Sequence, residues 1–450
     1  MTLTRETTSS AGGSLSSRGA AIKSEWWPAS DRKGGRDQIG IGGRLASESA
    51  IQFNARLAQG IFARLLQRSP LPWGRHRWVR NMTLPPIMWL SHQHHGKHFH
   101  HLRMQMLDLD VDPETGPGWR LVVQPLEGGG CALSVLVSHT VADGQAIVQT
   151  IADAVAGRHL DFGYQPASWR WSPLRLLRDG TESLRELPGV GRALMALMQR
   201  QRSATATSVH TSTGRQRGEH GASGQAVDVP FVPLVITADI FEARALELGV
   251  GVNTLSAALA VRLAHRMARV DASGRVKLVL PVSDRQPGDD RGNALRAVTL
   301  LVEPETCLAN PRLLQRQVRS RLTELRRHGD ELSPLLPLLP YVPLWLARHL
   351  ERMALGSGLP VGFSLLGALP SELESPFGEA SFLHISFLER YTTAELDRLG
   401  GLLFVLCFRI GGRFFFTVSG YAPGRITVRS ELTPLVQDAL VDLGLRATLS

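Results

Sequence analysis

The sequence predicts a mixed α/β fold in two lobes with a cleft between them. Patterns typical of apolar strands and amphipathic helices alternate on both sides of one low-complexity segment, residues 203–229. That segment is rich in Ser, Thr and Gly, which is typical of a linker. With 450 residues, the chain is long enough for such a division. We predict a disordered N-terminal tail over 1–50, a first lobe over 51–202, the linker over 203–229 and a second lobe over 230–450.

Four patterns define the first lobe. Apolar residues recur at helical spacing over 51–67 and predict a helix. Residues 101–109, HLRMQMLDL, alternate between apolar and polar and predict a half-buried strand. Residues 119–138 read as two strands joined by a glycine-rich turn. A short helix over 145–157 follows and ends at a glycine.

The second lobe repeats this alternation of elements. Its predicted helices cover 254–270 and 310–327, and both have an apolar face. The predicted strands are 275–283, 296–304, a hairpin over 402–422 that turns at Gly411 and Gly412, and 425–432.

Composition limits the possible partners. The net charge of +10 favours nucleic acid, an anionic lipid surface or a phosphate-bearing cofactor, although an arginine-rich composition alone gives the same value. Without an aromatic-basic RNA motif or zinc-finger spacing, nucleic acid is not expected. The cysteines, Cys131, Cys307 and Cys407, are far apart and predict neither disulfides nor a zinc site. We therefore expect a reducing, cytoplasmic location.

No run reaches the roughly 18 apolar residues of a membrane helix. The nearest stretch, residues 332–355, is interrupted by four prolines and followed by charged side chains. It suits peripheral contact with a membrane or lipid droplet, or a cover over an acyl channel. An irregular segment packed on its own core is the alternative.

The stretch LSVLVSHTVADGQAI, residues 133–147, carries the main chemical signal. An apolar strand ends at His139, and Gly144 permits a tight turn before the next helix. This context places an imidazole at a rigid strand end facing a cleft. A neutral imidazole, with a pKa of roughly 6.5, can take a proton from a hydroxyl or an amine, so His139 is a candidate general base. A purely structural histidine is the alternative.

Asp143 has two possible roles in the same stretch. It can orient His139 directly, or it can form a buried ion pair that fixes the turn, because a buried carboxylate needs a partner. Arg285 is the best candidate, since it follows an apolar strand in the second lobe just as His139 does in the first. Arg291 is the second candidate, and a solvated loop arginine is the alternative.

These segments resemble the thioester-dependent acyltransferases of the chloramphenicol-acetyltransferase-like superfamily, which share an H-H-x-x-x-D-G motif. The bacterial wax ester synthase/diacylglycerol acyltransferase family is the most similar, and peptide-synthetase condensation domains come next. The resemblance runs from about residue 103 to the C terminus. It includes GPGWRLVV with Trp119, the helix beginning at Asn253, LPVSDRQPGDDRGN with Arg285 and Asn293, and GFSLLGALP with Ser364.

The sequence departs from the family pattern at four positions. Ser138 replaces the first histidine of the motif, although the family assigns the base to the second. Gly118 replaces a leucine before the tryptophan, and Thr254 replaces an aspartate. Leu365 replaces an asparagine that helps to hold the oxyanion. These changes bear on which substrate is used.

The resemblance implies two chloramphenicol-acetyltransferase-like lobes, each a mixed sheet with flanking helices, around a central cleft or tunnel. His139 would take a proton from an acceptor hydroxyl, which attacks a fatty acyl thioester without a covalent enzyme intermediate. Ser364 would help to stabilise the oxyanion, and Asp143 with Arg285 would hold the motif in shape. Trp119, Asn253 and Asn293 would contact substrate.

No cofactor is implied beyond acyl-CoA, or an acyl carrier protein thioester, as co-substrate. The function implied is O-acyl transfer, as in wax ester or triacylglycerol synthesis. Two alternatives stay open: a lipid-binding or assembly protein that keeps the fold without catalysis, and an amide-forming condensation enzyme with a carrier-bound donor.

Two further patterns compete with this interpretation. Six histidines lie between His92 and His101, but their spacing and the lack of acidic neighbours do not predict a metal site. They are interpreted as a polar strand entry near the cleft, where His98, His100 or His101 touches substrate. DFGYQ, residues 161–165, resembles a motif of plant acyltransferases at a different place in the chain, and is interpreted as a coincidence.

Overall fold

The computed structural model describes most of the chain outside its first 35 residues. Three sequence features fall outside the described residues: the histidine-rich stretch 92–101, the linker residues 205–225 and the proline-interrupted stretch 332–355. The predictions made for them stay predictions. The described residues are 36–43, 47–71, 76–90, 103, 105–125, 131–158, 160–168, 171–204, 226–328, 359–377 and 380–449.

The described residues form strands and helices in alternation. The strands are β1 Arg36–Gly43, β2 Arg64–Gln67, β3 Arg77–Arg80, β4 Met88–Trp89, β5 Trp119–Pro125, β6 Cys131–Ser138, β7 Ala226–Val227, β8 Phe231–Thr237, β9 Val276–Ser283, β10 Leu295–Val302, β11 Val361–Ala368, β12 Ala380–Leu388, β13 Tyr391–Thr392, β14 Leu402–Ile410, β15 Arg413–Tyr421 and β16 Thr448–Leu449. The helices are α1 Ser47–Leu57, α2 Gly144–Val155, α3 Pro173–Ala204, α4 Ala238–Glu247, α5 Val252–Arg266, α6 Pro304–Ala309, α7 Pro311–His328, α8 Thr393–Leu399 and α9 Arg429–Asp442.

The first lobe is built on a five-stranded sheet in the order β12-β1-β6-β5-β4. Its pairs are antiparallel except β4 with β5, so the sheet is mixed. All eight residues of β6 are buried, because apolar clusters cover both faces of the sheet. On one face Val135 packs in a cluster with Ile147 and Ile151 of α2, and on the other Leu136 packs in a cluster with Met106.

The second lobe contains a seven-stranded sheet in the order β10-β9-β11-β14-β15-β8-β16. Strand β11 runs parallel to both β9 and β14, and the other pairs are antiparallel. Helix α5 is the central helix against this sheet: ten of its fifteen residues are buried, which fits its alanine- and leucine-rich sequence. The predicted α/β class, with a mixed sheet and flanking helices in each lobe, is confirmed.

Two further sheets have two strands each. Strands β2 and β3 pair with each other in the first lobe, and β7 pairs with β13. Helix α3, 32 residues long, follows the first lobe and leads towards the linker. In the described part of the chain, no single helix meets the length and hydropathy needed to cross a membrane; α4 and α5 would do so only together, and they are bent by 87° at the break between them.

The predicted tail and the lobe boundary both need correction. Residues 36–43, expected to be disordered, form β1 in the middle of the first sheet, where β6 and β12 pair with its two edges. Three of the eight residues of β1 are glycines, which give it a weak local signal, so its stability comes from these partners. Strand β12 belongs to the predicted second lobe by sequence, yet it completes the sheet of the first.

Three elements of the structure differ from the helix or strands that the sequence predicts. The helix expected over 51–67 ends at Leu57, because Gly60 has a φ of +62°, and β2 begins at Arg64. Within the strand expected over 101–109, residues 105–107 are helical, since an alternation over so few residues does not exclude a helical turn. The strand expected over 425–432 gives way to α9, whose first turn is capped by Glu431 accepting from Thr427 and Val428.

Candidate active site

The loop between β6 and α2 carries the histidine motif. Strand β6 ends at Ser138, and the Ser138 carbonyl accepts a hydrogen bond from the Val141 amide at 2.8 Å, which closes a tight turn on the strand end. His139 is half-buried in this turn, whereas Val141 and Asp143 are buried. A rigid strand end therefore presents a partly accessible imidazole, as the sequence predicts.

Asp143 begins α2 as its N-cap and joins it to the second lobe. One carboxylate oxygen accepts from the Ala146 amide at 2.9 Å. The other accepts from Arg285 Nη2 at 2.7 Å and from the Ala294 amide at 2.8 Å. The side chain of Asp143 is fully buried and that of Arg285 is 11% exposed, so the predicted ion pair is present and largely shielded from water.

Arg285 also holds its own loop in place. Its Nη1 donates to the Asp289 carbonyl at 3.0 Å, and its Nη2 donates to the Gly292 carbonyl at 3.1 Å. Arg291, the second candidate partner of Asp143, forms its ion pairs within this loop, with Asp289 and Asp284. The hydrogen bonds that Arg291 donates to the Asp289 carboxylate raise the pKa of Arg291 despite burial. Arg285 and not Arg291 is therefore the partner of Asp143.

Asn293 contacts the backbone of the motif. Its Nδ2 donates to the His139 carbonyl at 2.9 Å, and its Oδ1 is buried. The preceding Gly292 lies so close to the motif that a Cβ there would stand 2.9 Å from the Thr140 carbonyl oxygen. The amide of Asn293 thus positions His139 through its backbone, while substrate binding by Asn293 stays a prediction.

Arg64, on β2, supports the motif from the other side and has no evident signal in the sequence. Its buried guanidinium donates to the Val141 and Asp290 carbonyls and to the Tyr164 hydroxyl, the last at 2.9 Å. It also lies 4.0 Å from the ring centre of Trp78. Burial lowers the pKa of Arg64 and raises that of Tyr164. The DFGYQ stretch therefore supplies a contact that supports the site.

The other predicted site residues lie in different surroundings. Trp119 is buried in the first lobe, stacks on Phe62 and donates to the Phe62 carbonyl, so its described contacts are core contacts, and substrate binding by Trp119 stays a prediction. Asn253 is exposed on the first turn of α5, and no described contact joins it to the motif. Ser364 is half-buried on β11, whose Leu366 would lie 3.1 Å from a Cβ on Gly144. Strand β11 therefore adjoins the motif, and Gly144 leaves room for it.

Aromatic side chains lie beside the imidazole. The ring centre of Phe387, on β12, is 6.5 Å from that of His139, and Phe404 of β14 lies 5.8 Å beyond Phe387. Both phenylalanines are half-buried. Apolar surface therefore lies beside His139, the partly accessible titratable side chain of the turn.

A cavity of about 1060 Å³ opens next to the motif, between α2 and the second lobe. Gln145 and Gln149 line it from α2, and Arg285, Gln286 and Leu366 line it from the second lobe. His139 is not among its lining residues, whereas Arg285, the partner of Asp143, is. Its volume lies at the upper end of the ~300–1,000 Å³ range of ordinary small-molecule pockets, and its lining is partly polar. Among the described residues, no group of three or more His, Cys, Asp or Glu side chains is placed to hold a metal ion.

No protein-family model matches the chain, and no curated protein matches its sequence. Solved structures do match its fold. The first condensation domain of the calcium-dependent antibiotic synthetase has a TM-score of 0.58 at 15% identity over 94% of each chain. Polyketide synthase associated protein 5 from Mycobacterium tuberculosis has a TM-score of 0.54 at 14% identity, over 91% of this chain and 94% of that one.

A third structure extends the likeness beyond synthetase-related proteins. F. sporotrichioides TRI101, complexed with coenzyme A and T-2, has a TM-score of 0.55 at 14% identity, over 96% of this chain and 99% of that one. At such low identity, these matches show the fold alone. The chain thus has the two-lobe fold of these condensation domains and of TRI101.

Proposed function

We propose that the protein is an acyltransferase in which His139 is the general base. The observation that carries this proposal is the immobilisation of the His139 turn. Asn293 holds its carbonyl, Asp143 joins it to Arg285, and Arg64 binds Val141, while the imidazole stays partly accessible. Positioned groups of this kind suit general-base catalysis, which contributes about 10²- to 10⁴-fold in rate. The fold shared with condensation domains and with TRI101 supports the same reaction class.

The reaction needs no external oxidant or reductant. His139 takes the proton of the acceptor hydroxyl as its oxygen attacks the thioester carbon, which gives a tetrahedral oxyanion. The C–S bond then breaks, and the leaving sulfur takes the proton back from the imidazolium. The products are an ester and a free thiol, and the enzyme regains its neutral histidine. Backbone amides, with Ser364, are the proposed donors to the oxyanion.

Asp143 is a positioning residue in this proposal. Its carboxylate is occupied by the Ala146 amide, the Ala294 amide and Arg285, and these contacts set the shape of the turn. We assign the donor to the class of acyl thioesters, either acyl-CoA or a carrier-bound form. The cavity beside α2, lined by glutamine side chains and Arg285, is the proposed path of its polar arm.

The half-buried pair Phe387 and Phe404 favours an apolar acyl group, because such a group gains about 25 cal/mol for each Å² of apolar surface that it buries. We propose a fatty acyl donor and a hydroxyl acceptor, as in wax ester or triacylglycerol synthesis. An amide-forming reaction with a carrier-bound donor is the second candidate, and the likeness to condensation domains favours it. Ser138 and Leu365, which differ from the family pattern, favour a lipid-binding protein without catalysis.

The test is thiol release by the purified protein. Acetyl-, octanoyl- and palmitoyl-CoA, and the same acyl groups on a carrier protein, are each supplied with a long-chain alcohol, a diacylglycerol or a long-chain amine. Ester or amide formation is followed by mass spectrometry. His139→Ala should lower the rate at least 100-fold. His265→Ala, a substitution of a partly exposed histidine on α5, should leave the rate unchanged.

Each outcome separates the candidates. Thiol release that persists in His139→Ala overturns the assignment of the base. Product formed only with amines, or only from carrier-bound donors, favours the condensation reaction. Lipid binding without turnover by the wild-type protein favours the binding protein.

A further inference from the structure

Helix α3 carries a row of large apolar side chains that face away from the protein. These are Leu174, Leu177, Leu184, Leu187 and Met195, called here the leucine face, and each is between 50% and 80% exposed. Their spacing of three, seven, three and eight residues places them along one side of the helix. A row of this size is unusual on a surface that meets only water.

Buried polar contacts fix the rotation of the helix. Asp179, on the inner side, accepts from the Ser69 hydroxyl at 2.6 Å and pairs with Arg77 of β3. Arg175, one turn earlier, is also buried and donates to the Arg68 carbonyl. Because Arg175 and Asp179 hold the inner side, the helix cannot turn the leucine face inwards without breaking them.

An apolar groove of about 460 Å³ runs beside the leucine face. Leu71, at the end of the segment after β2, lines it opposite Leu177, Leu184 and Leu187. Gly180 widens the groove, because it has no side chain. The groove extends the apolar surface from the helix onto the body of the first lobe.

The helix that carries this surface has more basic than acidic side chains, and one of its arginines, Arg178, pairs with Glu182 at 3.1 Å. Exposed Arg178 and Arg185 lie seven residues apart along α3, which places them two turns apart on one side of the helix. The helix has six arginines and three acidic residues, and the chain has a net charge of +10. Trp171, just before the helix, is 54% exposed, and tryptophan is enriched where protein meets the lipid headgroups.

From these observations we propose that α3 docks the protein on an anionic lipid surface. The leucine face enters the boundary between headgroups and acyl chains, and the arginines lie at the level of the phosphates. The helix lies in the plane of the surface. This surface is separate from the candidate active site, and the proposal does not depend on acyl transfer.

Flotation with lipid vesicles tests the proposal on the full chain. Vesicles of phosphatidylcholine alone are compared with vesicles containing phosphatidylglycerol. The wild-type protein should bind the anionic vesicles at least tenfold more tightly. Leu177→Ser with Leu184→Ser should weaken binding about 100-fold, since each leucine contributes through its buried apolar area. Arg178→Gln with Arg185→Gln should weaken binding about 30-fold at low salt and less at high salt.

The matched control replaces Leu246 and Val441, which are equally exposed but lie on α4 and α9 of the second lobe. Leu246→Ser with Val441→Ser should bind vesicles like the wild type, and circular dichroism checks that each variant is folded. Absence of binding, or equal losses in the leucine-face and control variants, overturns the proposal. Light scattering tests whether the leucine face instead binds a second copy of the chain. If the wild-type protein is a dimer that does not bind vesicles, and Leu177→Ser with Leu184→Ser converts it to a monomer, the lipid proposal is overturned.

His139→Ala separates this proposal from the proposed function. The variant should bind anionic vesicles like the wild type, whatever its effect on thiol release. Loss of vesicle binding in His139→Ala contradicts a separate lipid surface.

Discussion

Arg285 donates to Asp143 at 2.7 Å across 142 positions of sequence. The pair joins the exit of β9 in the second lobe to the start of α2 in the first. The amide of Asp143 in turn donates to the Gly292 carbonyl at 2.9 Å, so the two loops hold each other by backbone as well as by side chain. The shape of the His139 turn therefore depends on both lobes.

Removal of Arg285 should be costly because it leaves the buried Asp143 carboxylate without its counter-charge. We expect Arg285→Ala to lower the free energy of unfolding by about 3–5 kcal/mol, measured by urea denaturation at neutral pH. The exposed pair of Arg321 with Glu324 provides the control: Arg321→Ala should change the free energy by less than about 0.5 kcal/mol. Equal effects in the two variants would show that the inter-lobe pair is not stabilising.

Stability should fall at mildly acidic pH through His384. Burial, with the nearby positive charge of Arg103, holds the pKa of this histidine well below 6.5. The unfolded chain therefore binds a proton that the folded chain does not, and stability is lost as the pH falls below about 6.5. We expect up to about 1.4 kcal/mol of stability to be lost per pH unit below that value.

The comparison of wild-type protein with His384→Gln isolates this contribution, because other groups titrate in both. The free energy of unfolding of the variant should depend less on pH between about 6.5 and 5. A slope that is the same in both proteins would contradict the role of His384.

Substitution of Arg64 should lower the rate of thiol release, because its guanidinium supports the His139 turn. Lysine cannot donate to the Val141 and Asp290 carbonyls in the same geometry, so Arg64→Lys should move the His139 turn. We expect kcat for thiol release to fall about 10- to 100-fold in this variant, since small displacements of a catalytic group are costly.

Tyr164→Phe is the matched variant, because it removes one contact of Arg64 and leaves the two backbone contacts. Its kcat should fall by less than about threefold, as expected for one hydrogen bond outside the turn. If both variants lose activity in proportion to their loss of stability, Arg64 acts on folding and not on the position of His139.

Gly292 should not tolerate a side chain. A Cβ at this position would lie 2.9 Å from the Thr140 carbonyl and 3.2 Å from the Trp78 ring, both of which are part of the site. Gly292→Ala should destabilise the protein by about 1–3 kcal/mol and lower thiol release. Gly412→Ala, where no atom lies within 4 Å of the new Cβ, should do neither. Thermal unfolding and thiol release of the two variants check this prediction.

The sequence predicts the elements of the site that depend on the local pattern of apolar residues and glycines. The eight apolar or small residues of β6, the glycine after Asp143 and the helix after it give a local signal, and the structure has all three. The partner of Asp143 was also predictable, because a buried carboxylate needs a cation and Arg285 stands at a similar strand exit.

The features that depend on residues far away in the sequence were not predictable. Strand β1 contains three glycines and is stabilised by β6 and β12, one of which lies more than 300 positions away. Arg64 lies in a stretch with helical periodicity, and nothing local indicates that its guanidinium meets Val141 and Asp290. Trp119 matches a motif of the resembling family, yet its burial against Phe62 gives it a packing role.

The position of β12 has a consequence for synthesis of the chain. A ribosome synthesises residues 36–43 more than 300 residues before residues 380–388, so β1 lacks one of its two partners during that interval. During that time its edge presents unpaired amides and carbonyls that can pair with other nascent chains. We therefore expect the first lobe to acquire its final structure only after residue 388 has been synthesised, and chaperone binding to favour nascent chains that end before residue 380.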